Sequence, residues 1–65
     1  MAPNVKDKFL EDCCRKGCNV VVFTTNGFQL KGVIVSFDVY VILVRREDGR
    51  QVMVYQSAIS TILPL

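Results

Sequence analysis

The chain has 65 residues, of which 51% are hydrophobic, 22% are charged and none is histidine. A chain of this length makes a single domain, here residues 1–65, and usually needs disulfides, a metal or partner subunits to be stable. Its formal net charge of +2 neither selects nor excludes a polyanionic partner. No apolar run is long enough to cross a membrane and no signal-peptide pattern opens the chain, so we expect a cytoplasmic protein.

The cysteines argue against two of those sources of stability. Cys13, Cys14 and Cys18 are odd in number and clustered, which is not the pattern of a disulfide framework. A structural zinc site needs a full set of Cys and His ligands, and this chain has no histidine. We therefore expect reduced, partly buried thiols, no metal or other cofactor, and an oligomer that hides the excess apolar surface.

Residues 5–16 are predicted to form one amphipathic helix after a short arm, Met1–Pro3. Asn4 is the expected N-cap, and Gly17 supplies the stop signal. The apolar positions recur at helical spacing. They are Val5, Phe9, Leu10 and Cys13.

Beyond the helix the apolar period changes to that of strands. Asn19–Thr24 and Phe28–Asp38 are predicted strands, joined at Asn26-Gly27, a strong hairpin signal because both residues tolerate positive φ. Gly32, inside the second strand, predicts a sharp bend or a close approach of backbone.

Three more strands complete the pattern. Tyr40–Val44 lacks alternation, so we expect it to be covered on both faces, and Asp48-Gly49 closes a second hairpin before Gln51–Tyr55. The step Gln56–Ala58 is too short for an ordinary hairpin before Ile59–Leu63. A tight helical turn there would send the last strand across the barrel or toward a neighbouring subunit. The predicted fold is mostly β, with an N-terminal helix and a five-stranded, strongly bent antiparallel barrel.

Three blocks of residues at these separations resemble Hfq, the bacterial Sm-like (LSm) RNA chaperone family. They are Asn26-Gly27-Phe28-Gln29-Leu30-Lys31-Gly32, Ser36-Phe37-Asp38 and Tyr55-x-x-Ala58-Ile59-Ser60-Thr61. The similarity extends from Phe9-Leu10 to Pro64, and the residues around Phe23 resemble the Firmicutes type. The resemblance implies a homohexameric ring in which the fourth strand of one subunit pairs with the fifth of its neighbour. It also implies binding of single-stranded RNA, both small regulatory RNA and mRNA, and no small-molecule substrate.

The resemblance implies that the face opposite the helix binds A-rich RNA. Aromatic rings there can stack bases, and amide or hydroxyl groups can hydrogen-bond the adenine edge. The matching positions are Phe23, Thr25, Gly27, Phe28, Gln29, Lys31, Gln51 and Thr61. The alternative for Phe23 and Phe28 is a place in the core.

The resemblance implies a second surface, on the helix side around the pore, that binds U-rich RNA. The matching positions are Lys6, Val39, Tyr40, Tyr55, Gln56 and Ser57. Tyr40 stands where the family has a stacking aromatic, but Gln56-Ser57 replaces the family's Lys-His pair and removes charge from the pore. Gln56 can still hydrogen-bond a uracil edge. We therefore expect weakened uridine binding, with Tyr40 and Lys6 retained as contributors.

The resemblance implies a third, basic surface on the outer rim. The candidates are Arg15, Lys16, Phe37, Arg45 and Arg46. The alternative is an ordinary solvated charged face. Val33 and Val35, which point outward, have no assigned role; the helix covers them or another protein contacts them.

An enzyme is not expected. The chain has no histidine, no nucleophile–base pairing and no phosphate-cradling glycine loop, and its clustered carboxylates fall on a solvated helix and a turn. Those carboxylates are Glu11, Asp12, Glu47 and Asp48. The competing interpretations are an SH3-like barrel that binds proteins, a ring whose RNA function has decayed, and a ring of another stoichiometry that binds small nucleotides.

Overall fold

A computed structural model describes residues 5–65. The elements are α1 (Val5–Lys16), β1 (Asn19–Thr24), β2 (Gln29–Phe37), β3 (Val41–Arg45), β4 (Gln51–Tyr55), a 3-10 turn (Gln56–Ala58) and β5 (Ile59–Pro64). This order confirms the predicted helix and five strands, with boundaries that differ from prediction by no more than about a residue. The predicted arm Met1–Pro3 and the predicted N-cap Asn4 lie outside the described residues.

Helix α1 ends in a Schellman motif. The Cys18 N–H donates to the Cys13 carbonyl over 3.2 Å, and the Gly17 N–H donates to the Cys14 carbonyl over 3.3 Å. Gly17 adopts φ +66°, which a side chain would disfavour, so the predicted stop at this glycine is confirmed. Leu10 and Cys13 of the predicted apolar stripe are buried, whereas Val5 at its start is 86% exposed.

The strands form one antiparallel sheet in the order β4-β3-β2-β1-β5. Although β4 and β5 are consecutive in the chain, they lie at opposite edges of the sheet. The 3-10 turn between them is tied to both sides of the fold. The Gln56 N–H donates to the Tyr40 carbonyl over 2.8 Å, and the Thr25 N–H donates to the Ala58 carbonyl over 2.8 Å. The turn therefore carries the last strand across the barrel, which is one of the two predicted outcomes.

Both hairpins have the same geometry. In the first, the Thr24 N–H donates to the Phe28 carbonyl over 2.9 Å and the Gly27 N–H donates to the Thr24 carbonyl over 3.1 Å. In the second, Arg46 and Gly49 make the equivalent bonds over 2.7 and 3.0 Å. Within residues 5–65 only glycines have positive φ, so Asn26 does not use the left-handed region that it tolerates. The loops thus have a glycine, not an Asn-Gly pair, in that region.

The sheet bends at two β-bulges and at one glycine. The register of β1 shifts between Phe23 and Thr24, and that of β2 shifts between Ile34 and Ser36. A Cβ atom on Gly32 would lie 2.8 Å from Val44 Cγ1 and in collision with the Arg45 carbonyl, which confirms the predicted close approach. The extra residue of the second bulge is Val35, whose carbonyl accepts a hydrogen bond from the Cys14 thiol over 3.2 Å.

The core lies between α1 and one side of the sheet. Its fully buried members come from the helix and from three strands: Leu10, Val20, Val22, Ile34, Ile42 and Val44. Strand β3 alternates between buried and half-buried side chains. Tyr40, just before it, is 73% exposed, so the expectation of cover on both faces is wrong at that end.

The described cysteines are free thiols, as expected. Cys13 is buried, and Cys14 and Cys18 are half-buried. Burial raises the pKa of the Cys13 thiol, and the neighbouring Cys18 and Asp12 raise it further. The neutral thiol form is therefore favoured at Cys13. In the part of the chain that the structure describes, no helix has the length and apolar character needed to cross a membrane.

Candidate nucleic-acid interface

Strand pairing brings three of the predicted A-rich residues into one row. Phe23 lies directly opposite Gln29 on β2 and directly opposite Thr61 on β5. Directly opposed residues of an antiparallel ladder point to the same side of the sheet. The core residue Val22 points to the other side, because neighbouring residues of a strand alternate. An aromatic ring is therefore flanked by an amide and a hydroxyl group on the face away from the core.

The β1–β2 hairpin holds Phe28 beside that row and directs it outward. The Phe28 N–H donates to the Thr24 hydroxyl oxygen over 3.0 Å, and that hydroxyl donates to the Asn26 side-chain oxygen. The Phe28 ring is 71% exposed, so the alternative of a core residue is excluded for it. Thr25 and Gly27 occupy the same loop and are also exposed. Thr24, which makes these bonds, was not a predicted site residue.

The other two predicted A-rich residues lie farther along the same face. Lys31 follows Gln29 by two positions and therefore shares its side of β2. Gln51 lies opposite Arg45, which in turn lies opposite Val33, so it shares this side of the sheet as well. Gln51 belongs to the β4 edge, whereas Thr61 belongs to the β5 edge at the other end of the strand order. One protomer therefore holds this set in two parts.

On the helix side, a hydrogen-bonded turn presents Val39 and Tyr40. The Asp38 carboxylate accepts bonds from the N–H groups of Tyr40 over 2.8 Å and Val41 over 2.9 Å. These two bonds hold the pKa of the Asp38 carboxyl below its ordinary value. Tyr40 and Val39 are 73% and 69% exposed, respectively, so both side chains face solvent. The sequence analysis gave Asp38 no role of its own. The signal was present, because Asp side chains often accept a hydrogen bond from the backbone N–H two residues further along the chain.

Gln56 joins this turn to the end of β4. Its side-chain amide Nε2 donates to the Asp38 carbonyl, and its backbone N–H donates to the Tyr40 carbonyl. Its Oε1 is buried and has no hydrogen-bond partner among the described residues. Tyr55, one residue earlier, lies opposite Val41 and is 63% exposed. The structure therefore brings Gln56 to the Tyr40 turn, whereas Tyr55, four positions after Gln51 on β4, points to the same side of the sheet as Gln51. Ser57 is exposed.

Lys6 and Gln56 line the same cleft between α1 and β5. The cleft has a volume of about 470 Å³ and is mostly apolar. Its lining residues are Val5, Lys6, Phe9, Leu10, Ile42, Gln56, Ile59, Ser60, Thr61 and Ile62. Lys6 is thus the one cation near Gln56 in this lining. Of the predicted U-rich residues, Lys6 and Gln56 line this cleft, whereas Val39, Tyr40, Tyr55 and Ser57 do not.

The predicted rim residues are less uniform. Arg15 forms an exposed ion pair with Asp12, with 2.8 Å between Nη2 and Oδ1, so part of its charge is compensated. Phe37 is half-buried and packs against the core. Arg46 lines a cleft of about 490 Å³ with Lys31, and Glu47 and Asp48 line the same cleft. Lys16 and Arg45 are exposed.

Comparisons with known proteins show the family of this chain. The family model described as Hfq protein matches residues 5–65. The RNA-binding protein Hfq of Desulforamulus reducens is 45% identical over 62 residues, which covers 95% of this chain and 76% of the relative. The chain belongs to the Hfq family. The RNA-binding protein Hfq of Caldicellulosiruptor saccharolyticus is 44% identical over 94% of this chain, and this chain spans 62% of that relative, less than two thirds. The resemblance to the Firmicutes type is confirmed by relatives from such organisms.

Solved structures of the Hfq family have the same fold. A crystal structure of the pleiotropic translational regulator Hfq superimposes with a TM-score of 0.88 at 43% identity, covering 92% of this chain and 98% of that one. An Hfq protein from Anabaena superimposes with a TM-score of 0.83 over 92% of this chain and 95% of that one, but at 15% identity, which supports the fold alone. The predicted Sm-like fold class is therefore confirmed.

Both open edges of this Hfq-family protomer carry exposed apolar side chains. Met53 and Tyr55 on β4 are 61% and 63% exposed, and Leu63 on β5 is 49% exposed. The outward valines of β2 are less exposed than these edge residues: Val33 is half-buried and Val35 is 37% exposed. Large exposed apolar groups beside unpaired strand edges favour association.

Proposed function

We propose that this Hfq-family chain forms a homohexameric ring that binds single-stranded RNA. The observation that carries the proposal is the division of the A-rich set between two opposite sheet edges, with Gln51 on β4 and Thr61 on β5. If β4 of one subunit pairs with β5 of the next, the two parts meet at every subunit boundary. The relatives named RNA-binding protein Hfq support this assignment.

Ring closure pairs the backbone N–H and C=O groups that the edge strands of one protomer leave unpaired. Within residues 5–65, strands β4 and β5 each have one side without a partner strand, and a closed ring removes both edges. Met53 and Tyr55 on β4 and Leu63 on β5 are exposed apolar side chains beside these two edges. Burial of this surface stabilises the assembly by about 25 cal/mol for each Å² of apolar area removed from water.

The face away from the core is the proposed site for A-rich RNA. Phe23 and Phe28 stack bases, and each such contact contributes about 1–3 kcal/mol. Gln29 and Thr61 flank Phe23 and hydrogen-bond an adenine edge. Gln51 is contributed to the same site by β4 of the neighbouring subunit. Lys31 supplies a positive charge for phosphate, and Gly27 allows a base to lie close to the hairpin backbone.

The helix side is the proposed site for U-rich RNA, and it binds more weakly. Tyr40 stacks on the base from its exposed position at the turn, and the exposed Val39 precedes it in the same turn. Lys6 is the cation that remains there, because Gln56 and Ser57 are neutral. Arg15, Lys16, Arg45 and Arg46 form a rim that attracts the RNA backbone, with Phe37 adding apolar contact. This rim acts weakly because Asp12, Glu47 and Asp48 lie among its charges.

Such a ring brings small regulatory RNA and mRNA together in the cytoplasm and promotes their pairing. It acts as a chaperone in post-transcriptional regulation and not as an enzyme, and it needs no cofactor, membrane or small-molecule substrate. The multiple RNA surfaces of one ring raise the effective concentration of two bound strands relative to each other.

Titration with short labelled RNAs tests this proposal. An A-rich and a U-rich oligonucleotide of equal length are compared by fluorescence anisotropy at the same salt concentration. We expect the A-rich strand to bind more tightly. Equal, tight binding of both strands would contradict the weakened U-rich site, and binding of neither would favour the SH3-like protein-interaction module.

A further inference from the structure

The side-chain amide of Gln56 bonds within the protein, and its oxygen is turned away from solvent. Its Nε2 donates to the Asp38 carbonyl. The opposite amide orientation would set two acceptors against each other, so the nitrogen must face that carbonyl. This leaves Oε1 on the inner side, where it is buried and has no partner among residues 5–65. Gln56 is therefore committed to the protein's own backbone.

The bond closes a small network around the Tyr40 turn. Asp38 holds the turn from one side, since its carboxylate accepts from the Tyr40 and Val41 N–H groups and its own N–H donates to the Val41 carbonyl over 3.0 Å. Gln56 holds it from the other side through the Asp38 and Tyr40 carbonyls. Gln56, just after β4, thus bonds the carbonyl groups of both residues that flank Val39 in the chain.

We infer that Gln56 is a positioning residue, which fixes the turn that presents Tyr40 and does not itself touch RNA. The inference rests on the proposed function, because it assigns a role within the proposed U-rich site. It also explains how that site keeps its aromatic platform although it lacks the charge of a lysine at this position. Stacking then dominates selectivity there, and phosphate attraction contributes little.

Amide hydrogen exchange without RNA tests the positioning role directly. Gln56→Met keeps the size of the side chain but removes the donor, and Gln56→Lys keeps a donor. We expect Gln56→Met to lower the protection of the Tyr40 and Val41 amides about threefold to tenfold, as for loss of one neutral hydrogen bond. Gln56→Lys should restore most of that protection. The Arg46 and Gly49 amides of the other hairpin serve as the internal reference, and Ser36→Ala, at an exposed residue outside the proposed RNA surfaces, is the control variant.

The outcomes separate this inference from the proposed function. Unchanged protection in Gln56→Met overturns the inference whatever the RNA does. A loss of U-rich affinity without a loss of protection also overturns it, because Gln56 would then contact the base. Reduced protection with weaker U-rich binding and unchanged A-rich binding supports it.

Reduced protection of the Tyr40 and Val41 amides with unchanged U-rich binding would show that the Tyr40 turn does not bind RNA and that the proposed uridine site is wrong. A general loss of protection, including Arg46 and Gly49, would mean that Gln56 supports the whole fold, and would also overturn it.

Discussion

The two candidate RNA surfaces of this protomer are built in different ways. The A-rich surface is assembled by strand pairing, which places Gln29, Phe23 and Thr61 in a row but leaves Gln51 at the opposite edge. The Tyr40 surface is assembled by side chain–backbone hydrogen bonds within one protomer. The first surface therefore depends on oligomerisation for its completion, whereas the second depends on a few local bonds. This contrast predicts that different changes will damage each surface.

The largest effect is expected from a charge at the β4 edge. Met53→Asp places a carboxylate where the proposed ring buries an apolar side chain, and an unpaired buried charge costs about 3 kcal/mol or more. We expect dissociation into smaller species and loss of A-rich binding, measured by analytical ultracentrifugation and anisotropy. Gln29→Asp adds the same charge to the same sheet on an interior strand, and it should leave the ring intact. Rings of equal stability in both variants would argue against pairing at this edge.

Removing one stacking ring should have the next largest effect. Phe28→Ala is expected to weaken A-rich binding by about 1–3 kcal/mol, because an exposed aromatic platform is lost. U-rich binding and the oligomeric state should not change. Tyr40→Ala is the matched change on the other surface, with the opposite selectivity. If both variants weakened both RNAs equally, the two surfaces would not be separate.

Restoring charge to the pore should sharpen the contrast in salt dependence. The double variant Gln56→Lys, Ser57→His is expected to bind U-rich RNA more tightly at low salt. Each added phosphate contact contributes about 0.7 to the slope of log K against log salt for single strands. The A-rich slope should remain as it is in the parent protein. A parallel steepening for both RNAs would indicate a general electrostatic effect of the added charge.

The smallest expected effect concerns the Asp38 turn at acid pH. Because hydrogen bonds from Tyr40 and Val41 lower the pKa of Asp38, its contribution to stability is present above the ordinary Asp pKa. That contribution is lost as the pH falls through the lowered value. The amide NMR shifts of Tyr40 and Val41 should titrate with this carboxyl group, and in Asp38→Asn they should not. Titration of these amides at the ordinary Asp pKa would contradict the bonding scheme.

Much of the fold follows from local sequence signals. Helix α1 and its stop at Gly17, both hairpins, the close approach at Gly32 and the helical turn at Gln56–Ala58 were all predicted, because each depends on neighbouring residues. Val5 falls on the predicted apolar stripe yet is exposed. Periodicity alone does not tell where the sheet stops covering the helix. The run Tyr40–Val44 lacked alternation, yet Tyr40 lies outside the strand, at a turn that only the Asp38 bonds define.

The candidate sites were less accessible to sequence reasoning. The resemblance supplied Phe23, Phe28 and Tyr40, but it treated Gln56 as a group available to a base. The bond from Gln56 to Asp38 joins residues that are far apart in the chain, so no local pattern reveals it. Likewise, the division of Gln51 and Thr61 between two edges depends on the strand order and not on their spacing in the sequence.

Native mass spectrometry of the purified protein, with and without an A-rich oligonucleotide, tests the central claim that β4–β5 pairing between subunits completes the RNA surface. We expect a hexamer in both samples and a mass increase that corresponds to bound oligonucleotide in the second. A folded, single copy in dilute solution that takes up no A-rich RNA would contradict the claim.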